Sequence, residues 1–188
     1  MKKIFFSLLF SVNCNASGIF FDYKNQDIGF DSFSSDLKGL SVGYSLDKHK
    51  NVFIGFENLK SSRDIRYMGV FAGIDRNIYE GAKISLSFRS SIDIGQLNVP
   101  WFNNKNSLFS IPVGLNAQYA LADNMLFNTE IGYRHFIDLT DATKCRDGSY
   151  SNSIGSGTCS HHNGVALYQD TVGDGGGIYF KFGLGYFF

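Results

Sequence analysis

Apolar residues recur at every second position through most of the chain, and a period of two predicts strands rather than helices. The first run, Gly18 to Lys24, sets Ile19, Phe21 and Tyr23 against Asp22 and Lys24. The second, Lys38 to Leu46, sets Leu40, Val42 and Tyr44 against Ser41, Gly43 and Ser45. The third spans Asn51 to Leu59 and the fourth Tyr67 to Asp75. The fifth, Gly81 to Ser90, alternates Ala82, Ile84, Leu86 and Phe88 with Lys83, Ser85, Ser87 and Arg89. The sixth covers Ser107 to Leu121, the seventh Met125 to Phe136 and the eighth Gly175 to Phe188.

Eight runs of this length predict an all-β fold, an eight-stranded antiparallel up-and-down barrel whose tilted strands cross a bilayer. The connections alternate. Those after the odd runs are Asn25–Leu37, Lys60–Arg66, Ser91–Asn106 and Ile137–Gly177, and those after the even runs are short. Short periplasmic turns with longer external loops have this asymmetry, and it places both termini in the periplasm. A soluble barrel would turn the apolar face inward. Here that face carries large side chains in nearly every run, which would overfill a small barrel, while the other face is rich in Gly and Ser. Pointed into lipid, the large residues fit, and closure pairs every backbone polar group, as hydrocarbon demands.

The N-terminus changes the address. Lys2 and Lys3 precede the apolar stretch Ile4 to Val12, and Cys14-Asn15-Ala16 offers small residues where a signal peptidase reads. Residues 1–16 are expected to be a cleaved signal peptide and residues 17–188 the barrel. Asn13 before Cys14 speaks against a lipoprotein. Cys145 and Cys159 then remain as an even pair in an exported chain, which reads as a disulfide, with two free thiols as the alternative. Lys plus Arg and Asp plus Glu balance at 17 each, without a basic block, so nucleic acid is not expected as a partner.

The mature chain resembles the small eight-stranded outer-membrane β-barrel proteins of the OmpA/OmpX type. The C-terminal strand carries the resemblance: Phe180, Phe182, Leu184 and Tyr186 alternate up to a final Phe188. The resemblance implies that this strand is read by the barrel assembly machinery. It implies an outer-membrane setting, with lipid and lipopolysaccharide as neighbours, and leaves the subfamily open.

Candidate chemistry lies on the inward face. Glu57, Lys83, Arg89, Glu130, Arg134 and Lys181, together with Asp22, are expected to form a polar network in the lumen, with Glu130 facing Lys181. Eight strands leave room for side chains only, so the expectation is a plug; a narrow solute channel is the competing reading. His135 invites comparison with lipid A-modifying enzymes of the rim, but the position two further on is Ile137, with no nucleophile. His161 and His162 lack further ligand spacing, so neither metal nor cofactor is expected. Gly173–Gly177 lacks the Lys-Ser/Thr of a phosphate loop. The segment Ile137–Gly177, with Val99, Trp101 and Phe102 near the same rim, is the expected place for contact with an external ligand or host surface. The functional expectation is therefore a non-enzymatic surface protein for binding, adhesion or envelope protection.

Overall fold

The structure, a computed structural model, describes residues 18–46, 52–140, 143–151, 157–168 and 170–188. The predicted signal peptide lies outside the described residues. The strands are β1 (Gly18–Phe30), β2 (Ser34–Ser45), β3 (Val52–Lys60), β4 (Arg66–Glu80), β5 (Ile84–Asn98), β6 (Lys105–Ala122), β7 (Met125–Asp138), β8 (Thr143–Cys145), β9 (Tyr150–Ser151), β10 (Val165–Tyr168) and β11 (Gly175–Phe187). Strands β1 to β7 and β11 close into one antiparallel barrel, in which β1 pairs with both β2 and β11. Strands β10, β8 and β9 form a separate small sheet in that order.

Paired neighbours trace a spiral. From Phe20 they run through Gly43, Gly55, Phe71, Asp93, Ser110, Phe136 and Gly175, and return to β1 at Phe30 rather than at Phe20. That displacement tilts the strands by about 35–45°, as closure of eight strands requires. Around the outside runs a belt of exposed apolar side chains, including Phe21, Leu40, Val70, Leu115, Ile131 and Phe180. No described helix is long and apolar enough to cross a membrane; a barrel crosses with its strands.

The barrel is taller than the sequence pattern indicates. The expected loop Asn25–Leu37 is mostly strand, with β1 running to Phe30 and β2 starting at Ser34. The expected loop Ser91–Asn106 shrinks to 99–104, because β5 continues to Asn98. These extra lengths all lie at the end away from the termini. There the two faces exchange character. On β1 the outward residues pass from Ile19, Phe21 and Tyr23 to Asn25 and Asp27, while the inward ones pass from Asp22, Lys24 and Gln26 to Ile28 and Phe30. On β3, Glu57 inward gives way to Leu59, and Phe56 outward gives way to Asn58 and Lys60. The outer section of the barrel is thus built like a soluble protein.

Candidate functional site

The lower lumen holds two linked ion-pair groups. In one, Asp22, Asp75, Arg89, Glu130 and Lys181 meet: Lys181 Nζ lies 2.7 Å from Glu130 Oε2 and 3.6 Å from Asp22 Oδ2. Arg89 grips Asp75 through both Nε and Nη2, and its Nη1 reaches Glu130 Oε2 at 3.1 Å. The Tyr179 hydroxyl donates to Glu130 Oε1 at 2.6 Å and the Asn128 amide to Asp22 Oδ1 at 2.7 Å. Glycine makes this reach possible: a Cβ on Gly132 would stand 2.6 Å from the Tyr179 ring. In the second group, Glu57 sits between Lys24, at 2.9 Å, and Arg134, whose Nη2 contacts Asp93 at 2.7 Å. The Tyr67 hydroxyl donates to Asp93 at 2.7 Å. All nine charged groups are buried, so each one's partners offset a desolvation cost that would otherwise be several kcal/mol.

Six of the seven expected lumen residues, Asp22, Glu57, Arg89, Glu130, Arg134 and Lys181, lie in these groups. Lys83 does not. It is exposed in the turn 81–83, because β5 begins only at Ile84; its parity points inward, but it lies below the closed wall. Lys24, Asp75 and Asp93 bring the groups to five carboxylates against four cations and were not singled out. Asp93 fell in an expected loop, and Asp75 at the last position of an expected strand.

Above the ion pairs the interior turns apolar. Leu37, Leu59, Ile65, Tyr67, Leu97, Val99, Leu108 and Phe136 pack into one cluster with Ile28, Phe30 and Val172. Arg134 joins the two layers: its guanidinium lies 5.2 Å from the Phe136 ring centre and 5.5 Å from that of Tyr67. Val99, expected at an exposed rim, is fully buried in this cluster, since the turn after β5 folds inward; Trp101 remains exposed and Phe102 packs against the cluster.

The return segment 170–174 closes over this layer. Val172 enters the core, while Asp138 Oδ2 accepts the amides of Val172 and Gly173 at 2.9 and 3.1 Å. The Asp170 carbonyl accepts the side-chain amides of Asn104 and Asn106, and Asp170 Oδ2 accepts the Asn103 amide. The chain between β7 and this strap carries the small sheet, closed by a disulfide between Cys145 and Cys159. Its turns use left-handed positions at Gly148, Gly157, Cys159, Asn163 and Gly164. Asp147 organises it: hydrogen bonds from Ser149, then the His162 ring at 2.6 Å, hold its carboxyl down at about 2. Cross-strand neighbours Tyr150, Lys144 and Leu167 share one face, and Tyr150 and Leu167 are half exposed.

The remaining expected residues are placed simply. Phe180, Phe182, Leu184, Tyr186 and Phe188 are all exposed on the outward face, the first four on β11 and Phe188 just past its end. His135 is exposed on β7, paired with Ile111 and Gly176. His161 is exposed beside His162, and no group of three metal-ligating side chains occurs among the described residues.

Residues 140–168 match the domain of unknown function DUF3761, a stretch that contains β8 to β10 and both disulfide cysteines. No curated protein matches the chain. Among solved structures, the crystal structure of Neisserial surface protein A (NspA) is 10% identical, with 92% of this chain and 98% of that chain covered and a TM-score of 0.54. Ail of Yersinia pestis is 14% identical over 92% of this chain and 98% of its own, with a TM-score of 0.47. The N-terminal β-barrel domain of Pseudomonas aeruginosa OprF is 13% identical over 93% and 98%, with a TM-score of 0.46. The closed register and the likeness to NspA together establish the fold as that of the small eight-stranded outer-membrane β-barrels.

Proposed function

We propose that this is an integral outer-membrane protein of a Gram-negative bacterium, delivered by a cleaved signal peptide, whose barrel is a closed anchor for a displayed binding module. The role is non-enzymatic: surface binding, adhesion or envelope protection, carried by the disulfide-closed segment above the barrel. The observation that supports it is the order of layers. A charged lumen is capped by an apolar layer and the apolar layer by a hydrogen-bonded strap, and the segment leading to the strap carries a small sheet with its own disulfide and with Tyr150, Leu167 and Tyr168 exposed. An interior filled in this way favours an anchor over a conduit.

The test uses three readouts on one protein. Reconstituted in planar bilayers, the barrel should insert without giving conductance steps. Cells carrying the barrel with residues 139–174 replaced by a short turn should keep a folded barrel and lose binding to host-derived surfaces. Mass spectra of lipid A from cells with and without the protein should coincide. Steady conductance would make it a channel, and a gained or lost acyl chain would make it an enzyme.

A further inference from the structure

On the outward face of β2 to β4 the register sets cations directly against one another. Lys38 is paired with Lys60, and Lys60 with Arg66. The row runs on through Asn98 to Lys105. Directly opposed side chains have Cβ atoms about 4.5–5.5 Å apart, where like charges destabilise a sheet. Arg63, exposed in the turn 61–65, adds a further positive charge at the same corner. The acids nearby offset this only in part. Asp36 meets Lys38 at 2.9 Å and Asp64 meets Lys60 at 2.6 Å, both exposed pairs of small weight, and Asp27 lies opposite Asp36 on β1. Among the described residues Arg63, Arg66 and Lys105 enter no ion pair.

The row also has a definite depth. Two residues toward the termini, Lys38 is followed on its face by Leu40 and Arg66 by Met68, both exposed. Below Lys60 come Asn58 and then exposed Phe56. The cations therefore stand on the upper edge of the apolar belt. An anion that relieves their repulsion there would carry acyl chains to cover the belt beneath it. Adjacent strands lie about 4.8 Å apart, so Lys38 to Arg66 spans about 10 Å. That width suits two separated phosphates better than a single phosphodiester.

We propose that Lys38, Lys60, Arg63 and Arg66 hold the phosphates of a bis-phosphorylated, acylated glycolipid, with its chains against Leu40, Phe56 and Met68. This rests on the outer-membrane reading above, because only there does the belt meet lipid. The site is electrostatic in its recognition and apolar in its grip, and it orients the barrel on the β2–β4 side.

The test is native mass spectrometry of the full mature chain with bis-phosphorylated lipid A, fully dephosphorylated lipid A and inorganic phosphate as probes. The wild type should retain bis-phosphorylated lipid A about tenfold better than the Lys60→Gln/Arg66→Gln variant, since each cation near a charged lipid surface counts. Dephosphorylated lipid A should bind both proteins equally. The charge-preserving Lys60→Arg/Arg66→Lys variant should behave as wild type. In lipid-free detergent the neutral variant should melt no lower than wild type, because repulsion has been removed. Equal retention by wild type and neutral variant would overturn the site, and displacement by inorganic phosphate at matched concentration would make it a site for free anions. Insertion into vesicles is scored separately by heat-modifiable mobility. Failure to insert would sink the membrane reading itself, whereas insertion without phosphate preference would sink only this site.

Discussion

The two sections of the barrel solve opposite problems with the same strands. Near the termini the outside is apolar and the inside holds the charged groups, with Phe20 and Phe53 packed beside Arg89. Beyond Asn25, Asn58 and Gln96 the outside is polar and the inside is packed with Leu37, Leu59, Leu97 and Phe136. The lower section matches a chain whose surroundings are hydrocarbon, and the upper section one whose surroundings are water. What changes between them is the sign of the alternation rather than its period. A strand therefore carries no fixed inner character; the solvent around each height of the wall decides which face must be apolar.

The largest expected effect falls where the two sections meet. Glu57 serves both Lys24 and Arg134, so Glu57→Leu leaves two buried cations short of a partner and should cost about 3–5 kcal/mol. Urea unfolding in lipid vesicles measures it, and a loss below about 1 kcal/mol would mean that water or other carboxylates already serve those cations. In the upper section Phe136→Ala opens a cavity between Phe30 and Tyr67 and should cost about 3–5 kcal/mol by the same measurement. Equality of these two penalties would show that charge pairing below and apolar packing above contribute comparably.

The outward face gives a sharper contrast. Phe21→Arg, in the belt, should destabilise by about 2–4 kcal/mol. Asp27→Arg, on the same face of the same strand, should stay within about 0.5 kcal/mol. Similar costs for the two would erase the distinction between the sections.

The module should respond alone. Replacing Cys145 and Cys159 by Ser removes a cross-link over a sequence separation of 14, which the chain-entropy account rates at about 3 kcal/mol. Hydrogen exchange should rise within 143–168 and stay unchanged in the barrel strands; a rise in β7 and β11 would mean the module helps hold the barrel shut.

The smallest effect is a pH dependence. The Asp147 carboxyl is depressed to about 2 in the folded module, so its stabilising contribution is fully present above the ordinary carboxylate value near 4 and fades as pH falls through about 2. Carbon-detected titration of Asp147 should give a midpoint near 2. A midpoint near 4 would mean the Ser149 and His162 contacts are not kept in solution.

The eight strands and their outward apolar residues were legible because the belt keeps strict alternation over many residues. The upper section was not. At the changeover both faces are polar together, so Lys24-Asn25-Gln26-Asp27 reads as four polar residues in a row, which is the signature of a loop. The same masking hid Asp93 beyond Ser90-Ser91. Six of the lumen charges followed from parity alone, and Lys83 was misplaced because parity says nothing of where a strand begins. The small sheet was invisible for another reason: strands of two to four residues held by a disulfide leave no period to read.

The most direct measurement is electron paramagnetic resonance of single spin labels at positions 19, 21, 23, 25, 27 and 29 of β1, in lipid vesicles, comparing collisions with oxygen and with a water-soluble nickel complex. Labels at 19, 21 and 23 should favour oxygen, with a switch to nickel at 25 that persists at 27 and 29. An oxygen preference running through 27 and 29, or a nickel preference already at 21, would contradict the division of the barrel into a lipid-facing and a water-facing section.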